Sequence, residues 1–202
     1  MGNAFLRWRE PAVRLLSRAV PGDVLWFVDT REPVFALTFD DGPHPETTPG
    51  LLDVLREHGA KATFFLIGER VRTHPGLVER IAAEGHELGN HLMRDERSVL
   101  APDERFAREL AETSALLSPY GEIRWFRPGA GFFTPRMLRT AGEQGLRAVL
   151  GTVVTADKDE IRPGSIVVLH EGTSERRGVV AATDELLTAV DLRAVTVSVL
   201  VD

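Results

Sequence analysis

The sequence predicts an α/β fold with about seven parallel strands, open or closed into a barrel. From residue 34 onward, short β-rich runs alternate with helical patterns, and no polar linker or low-complexity segment divides the series. The prominent polar residues also fall at the carboxyl ends of the strand runs. A repeating β/α order favours parallel strands, and seven of them favour closure.

The first strand is Val34–Phe39, followed by a helix over Pro49–Glu57 that Gly59 closes. Ala62–Ile67 ("ATFFLI") is a strand, Gly76–Glu84 a helix stopped by Gly85, and His86–Asn90 a short strand. Pro102–Ser118 places Phe106, Leu110 and Leu117 on one helical face. Trp125–Arg127 is a brief strand, and Thr134 caps a helix with Pro135 at its first position. Ala148–Val154 and Ile166–Leu169 are strands, Val179–Val190 a helix and Ala194–Leu200 a last strand. Only 11 residues separate Val154 from Ile166, too few for an ordinary crossover. Either these two strands are non-adjacent or joined by a taut loop, or residues are missing there. Residues 188–194 look clipped in the same way.

Residues 1–33 read as an N-terminal helical and strand extension, and 34–202 as a single domain. In the extension, Arg7, Arg9, Arg14 and Arg18 interrupt what a signal peptide would leave uncharged. The stretch fits a basic amphipathic helix, packed on its own domain or lying on a membrane surface. No apolar run approaches the ~20 residues that span a bilayer. The cell envelope or exterior suits the chain if a leader was removed, the cytoplasm otherwise.

A net charge of −6 gives no footprint for nucleic acid and disfavours anionic polymers overall, local patches aside. With no cysteine, disulfides and thiolate metal sites are excluded.

"LTFDDGPHP" sets Asp40 and Asp41 side by side at a strand end, where alternation directs them to opposite sides. His91, Arg127, Asp157 and His170 follow other strands, so they converge on the rim where barrels and open sheets build sites. A hydrolytic metal site needs about three ligands and an open position. His91 and Asp95, four apart, match neighbours on one helical turn, and Asp41 supplies a third ligand. Zn²⁺ is the favoured ion, with Co²⁺, Ni²⁺ or Mn²⁺ as alternatives. Asp40 is then free to act as base with Arg127 as its counter-cation, His170 to protonate a leaving group, and Asp157 to orient His170. Together these groups describe hydrolysis of an amide or ester.

"LTFDDGPHPETTPGLLDVLREHGAKATFFLIG", "GHELGNH", "RWFRPGAGFF" and "GSIVVLHE" resemble the motifs of the polysaccharide deacetylase, or NodB-homology, family of carbohydrate esterases, over residues 34–202. The resemblance implies a distorted, partly open (β/α) barrel. It also implies metal-dependent removal of acetyl groups from N-acetylated amino sugars, or of O-acetyl from xylan. The roles it implies coincide with those above. It adds the backbone N–H of Ala130 as an oxyanion donor and Phe132 or Phe133 as a pocket wall. The chain departs from the family pattern at Asp95, where a histidine is usual. It departs again at Gly129–Ala130, where a proline and an aromatic are usual, and at Lys158, where a tryptophan is usual.

Simpler readings stand beside these. His44 either touches substrate or only shapes its turn, and His58 caps a helix. His74 and His86 are structural, and Trp125 is core. A phosphohydrolase would space its acids Asp-x-Asp. A glycan-binding relative with weakened catalysis would follow from a decayed Asp95. A deacylase or deformylase of a lipid-linked amino sugar shares the same chemistry.

Overall fold

The computed structural model describes residues 24–202. The helix read over the basic N-terminal stretch lies outside them. Among these residues eight parallel strands form one sheet: β1 (Val24–Leu25), β2 (Val34–Gly42), β3 (Thr63–Leu66), β4 (Glu87–Asn90), β5 (Trp125–Phe126), β6 (Arg147–Val149), β7 (Ile166–His170) and β8 (Arg193–Val195). Their spatial order is β1-β6-β5-β4-β3-β2-β7, with β8 also pairing β2. The outer strands approach each other through bridges at Phe27–Ser165 and Val153–Val167, so the sheet curls into a distorted, incompletely closed barrel. β1 is part of this sheet, so the domain reaches back at least to Val24 rather than beginning at 34.

Helices α1 (Thr48–Glu57), α2 (Gly68–Thr73), α3 (Pro75–Ala83), α4 (Asp103–Leu117), α5 (Pro135–Glu143), α6 (Gly178–Ala189) and α7 (Val197–Val201) complete the described chain. None is long and apolar enough to cross a membrane. The alternation along β2 divides the core. Phe35, Leu37 and Phe39 join Leu51, Leu52 and Leu55 of α1 in one cluster, whereas Val34 and Ala36 join Phe65, Ile166 and Val197 in another. All nine residues of β2 are buried, as expected of a strand with neighbours on both edges and cover on both faces. On α4, Phe106, Leu110 and Leu117 are buried as their spacing predicts.

One expectation fails here, and one helix is additional to those read from the sequence. The segment read as a last strand over 194–200 is β8 followed by α7, because the Thr196 hydroxyl accepts a hydrogen bond from the Val199 N–H and starts a helix. Local capping overrides the β-branched alternation. α2 was not foreseen at all; Gly68, whose added Cβ would collide with Met93 and Thr113, lets its first turn pack close. The short Val154–Ile166 connection is a loop with a single 3-10 turn (Lys158–Glu160), and β6 and β7 are not neighbours in the strand order.

Candidate active site

The carboxyl ends of β2, β4, β5 and β7 open into a cavity of about 620 Å³ lined by Asp40, Asp41, His91, Arg127 and His170. The parallel pairing of β2 with β7 sets Asp40 and His170 directly across from each other. Asp40 therefore faces His170 from the adjacent strand, with Nε2 3.9 Å from Oδ2.

The two aspartates do not diverge as simple alternation predicts. Asp41 takes φ +69°, and the β2–β3 register shifts between Asp40 and Gly42. This bulge inserts an extra residue and re-aims its side chain. Both carboxylates consequently line the same cavity.

Arg127 is buried and its guanidinium is fixed on three sides. Nη1 donates to Asp40 Oδ1 (2.6 Å) and Thr38 Oγ1 (2.8 Å), and Nε donates to the Val149 carbonyl (3.1 Å). It also stands 4.0 Å over the Phe65 ring. Burial lowers the Arg127 pKa from its ordinary value, and the Asp40 carboxylate opposes that loss. Such a rigid fork holds one oxygen of Asp40 and leaves the other toward His170.

His91 is placed by its backbone. Its N–H bonds the Leu66 carbonyl (3.0 Å), while Asn90 Oδ1 accepts from the Leu92 N–H (2.8 Å) in a turn where Leu92 has φ +63°. Nδ1 meets the Arg127 carbonyl at 2.8 Å. A carbonyl only accepts, so Nδ1 carries the proton and Nε2 of the neutral ring presents a lone pair. That Nε2 faces Asp41 Oδ1 at 3.1 Å. Two lone pairs facing each other require a cation between them or a proton on the ring. Burial works to lower the His91 pKa, but Asp40 and Asp41 outweigh it and raise the net value. The point between Asp41 and His91 therefore favours positive charge, which fits a divalent ion. At Asp41, burial pushes the carboxyl up, yet His91 and Arg176 together hold it well below the usual carboxylate range.

Asp95 stands differently. Residues 91–97 are irregular chain, bent over 93–96, rather than a helical turn, so the four-residue spacing does not stack Asp95 on His91. Asp95 lines the cavity edge, half exposed, and pairs with Arg70 Nη2 at 3.1 Å. Among the described residues no group of three His, Cys, Asp or Glu side chains gathers in a metal-holding arrangement. The expected three-ligand set is thus brought together only as the Asp41–His91 pair.

Ala130 and Phe132 line the cavity, Ala130 in a tight turn (Gly129–Gly131) at φ +60°. A Cβ at Gly129 would collide with the Glu96 carbonyl oxygen. The proline usual at this position would not fit beneath the 94–98 loop. His44 is not among the lining residues; its Nδ1 accepts from the Glu46 N–H at 3.3 Å and its carbonyl accepts from Thr47 and Thr48 at the start of α1. Asp157 is exposed and its carboxylate accepts from the Asp159 N–H at 2.9 Å, capping its own turn. It is also absent from the cavity lining, and His170 faces Asp40 instead.

Two residues at the site went unread in the sequence. Arg176 Nη1 donates to Asp41 Oδ2 and, at 2.8 Å, to the Glu171 carbonyl. It thereby ties the β2 rim to the β7 rim and leaves Asp41 Oδ1 for His91. Glu171, fully buried, accepts from the Thr47 (2.8 Å) and Thr48 (2.7 Å) hydroxyls. Burial pushes its pKa up to about 7 against those hydrogen bonds.

Comparison with known proteins agrees with this architecture. The polysaccharide deacetylase family model matches residues 27–149. A peptidoglycan-N-acetylglucosamine deacetylase of Bacillus cereus is 36% identical over 82% of this chain and 85% of its own. A chitooligosaccharide deacetylase of Sinorhizobium fredii is 34% identical over 80% of this chain and 87% of its own. A solved peptidoglycan N-acetylglucosamine deacetylase superposes with a TM-score of 0.82 at 30% identity, covering 89% of this chain and 92% of that one. The chain belongs to the polysaccharide deacetylase family, the NodB-homology group of carbohydrate esterases.

Proposed function

We propose that this protein hydrolyses the acetamide of N-acetylated amino sugars in a glycan, assisted by one divalent metal ion, zinc by preference. The observation that carries the reading is the register of β2 with β7. It sets a buried carboxylate, Asp40, opposite a histidine, His170, at the mouth of one cavity. The similarity to peptidoglycan and chitooligosaccharide deacetylases supports the substrate class.

In this reading Asp40 takes a proton from the attacking water through the oxygen that Arg127 leaves open, and Arg127 supplies the counter-charge. His170 Nε2 delivers a proton to the departing amine as the C–N bond breaks. The Ala130 N–H is assigned to the oxygen that develops negative charge, a role that needs only main chain. Asp41 and His91 would hold the metal, with Asp95 on the lining of the same cavity. A divalent ion held there would supply Lewis-acid activation. Arg176 fixes the orientation of Asp41, and the Arg127 carbonyl fixes the His91 tautomer, the kind of outer support that metal ligands generally need.

The test is acetate release from chitooligosaccharides and peptidoglycan fragments after loading with Zn²⁺, Co²⁺, Ni²⁺ or Mn²⁺. Release that stops on chelation and returns with metal is expected. Undiminished release in chelator would remove the metal, and glycan binding without any release would make the protein a binding relative.

A further inference from the structure

The charged residues around the cavity are almost all matched. Asp40, Asp41, Asp95 and Glu96 pair with Arg127, Arg176, Arg70 and Arg105 respectively. Arg94 pairs with Glu69 and Glu109. Arg97 is the exception. It is exposed and lines the cavity, and among the described residues its guanidinium has no hydrogen bond or ion pair. The loop that carries it is pressed against the turn at Gly129 through Glu96. Arg97 thus shares a wall with Ala130 and with Phe132, which is 58% exposed. An open aromatic face suits the C–H face of a sugar ring, and an unengaged guanidinium fork suits a carboxylate.

We propose that the substrate is an acidic glycan, in which a carboxylate accompanies the N-acetylated sugar, and that Arg97 recognises that carboxylate. This rests on the glycan deacetylation proposed above and narrows its substrate class. The chain carries −6 overall, so long-range attraction of an anion is not expected. Recognition falls to the local fork, and Arg97 acts on binding rather than on the chemical step.

The shared chemistry has two sources, the lactyl ether carboxylate of peptidoglycan and a uronic acid. Dissociation constants are measured by NMR titration for the intact protein and Arg97→Ala. The ligands are chitotetraose, a peptidoglycan tetrasaccharide with free lactyl carboxylates, its methyl ester, and a tetrasaccharide alternating N-acetylglucosamine with glucuronic acid. The intact protein is expected to bind at least one acid about three- to tenfold tighter than the neutral ligands. Arg97→Ala should erase that preference and leave chitotetraose unchanged, while Arg97→Lys should retain part of it. The acid that is preferred identifies the source. Equal affinity of the intact protein for acids, ester and chitotetraose overturns the proposal, as does an equal loss on every ligand in Arg97→Ala. Acetate release is scored separately. Release without acid preference sinks the acidic-glycan proposal and leaves the deacetylation standing, and acid preference without release sinks only the deacetylation.

Discussion

Acids sit at both ends of the barrel, and they are held in different ways. At the amino end, Glu87 begins β4 and is surrounded by neutral donors. The Thr63 hydroxyl (2.6 Å), the Trp125 indole N–H (3.0 Å), the Ser198 N–H (3.2 Å) and the Ser198 hydroxyl all point at it. Its acceptor capacity is filled by groups that close the barrel with α7. At the carboxyl end, Asp40 and Asp41 are buried but held by arginine and histidine, and each leaves capacity facing a cavity. A carboxylate saturated by neutral donors pins strands together. A carboxylate held by cations, with an oxygen toward open space, is prepared to react or to bind an ion.

That contrast can be broken most sharply at Asp40. Asp40→Asn should lower kcat by about 10²–10⁴-fold, the range of a lost general base. Steady-state acetate release measures it, and unchanged turnover would put Asp40 in the same structural class as Glu87.

Glu171 lies behind the site and tests whether a buried acid there limits stability. Its raised pKa means that the folded state binds the proton more tightly than the unfolded chain. The resulting stability is fully present below about pH 4.5 and is lost as pH rises through about 7. Glu171→Gln keeps acceptors for Thr47 and Thr48 but cannot ionise. It should exceed the parent by on the order of 3 kcal/mol at pH 8 and match it near pH 4.5 in urea unfolding. A constant offset at both pH values would remove the titration from the account.

Arg176→Ala leaves Asp41 free to turn. If Asp41 holds the proposed ion, metal affinity by calorimetry should fall about 10–100-fold, the loss expected when a ligand's outer support is removed. Tighter binding would instead make Arg176 a competitor of the ion. At the other end, Glu87→Gln presents an amide to a ring of donors and should cost about 1–2 kcal/mol without changing kcat. A fall in turnover there would dissolve the distinction between the two ends.

The difference between the ends was only half legible in the sequence. Strand positions and the convergence of Asp40, Asp41, His91, Arg127 and His170 followed from the β/α order, because the carboxyl ends of parallel strands share one face. The bulge at Asp41 did not, since it is a backbone event that the period-2 pattern of side chains does not record. The helical spacing of His91 and Asp95 misled for a related reason: Leu92 at φ +63° ends any regular path after β4. Asp157 looked placed at a strand end, but β6 stops at Val149 and the chain wanders before that acid. Arg176 escaped notice because its role depends on reaching back from the loop after β7 to β2. Trp125 is core, as the sequence predicts, with its indole N–H on Glu87.

The left-handed backbone at Asp41 also limits how this site can change. Asparagine and aspartate tolerate that conformation, whereas most L-residues lose roughly 1–2 kcal/mol in it. Position 41 is therefore confined to a short acid or amide if the turn is to survive. Position 95, on irregular chain with no positive φ, carries no such restriction. If the site holds the ion proposed above, substitutions that tune it, in directed evolution of this chain, should accumulate at 95 while 41 stays fixed. The backbone, more than the ion, would be the conservative element of the site.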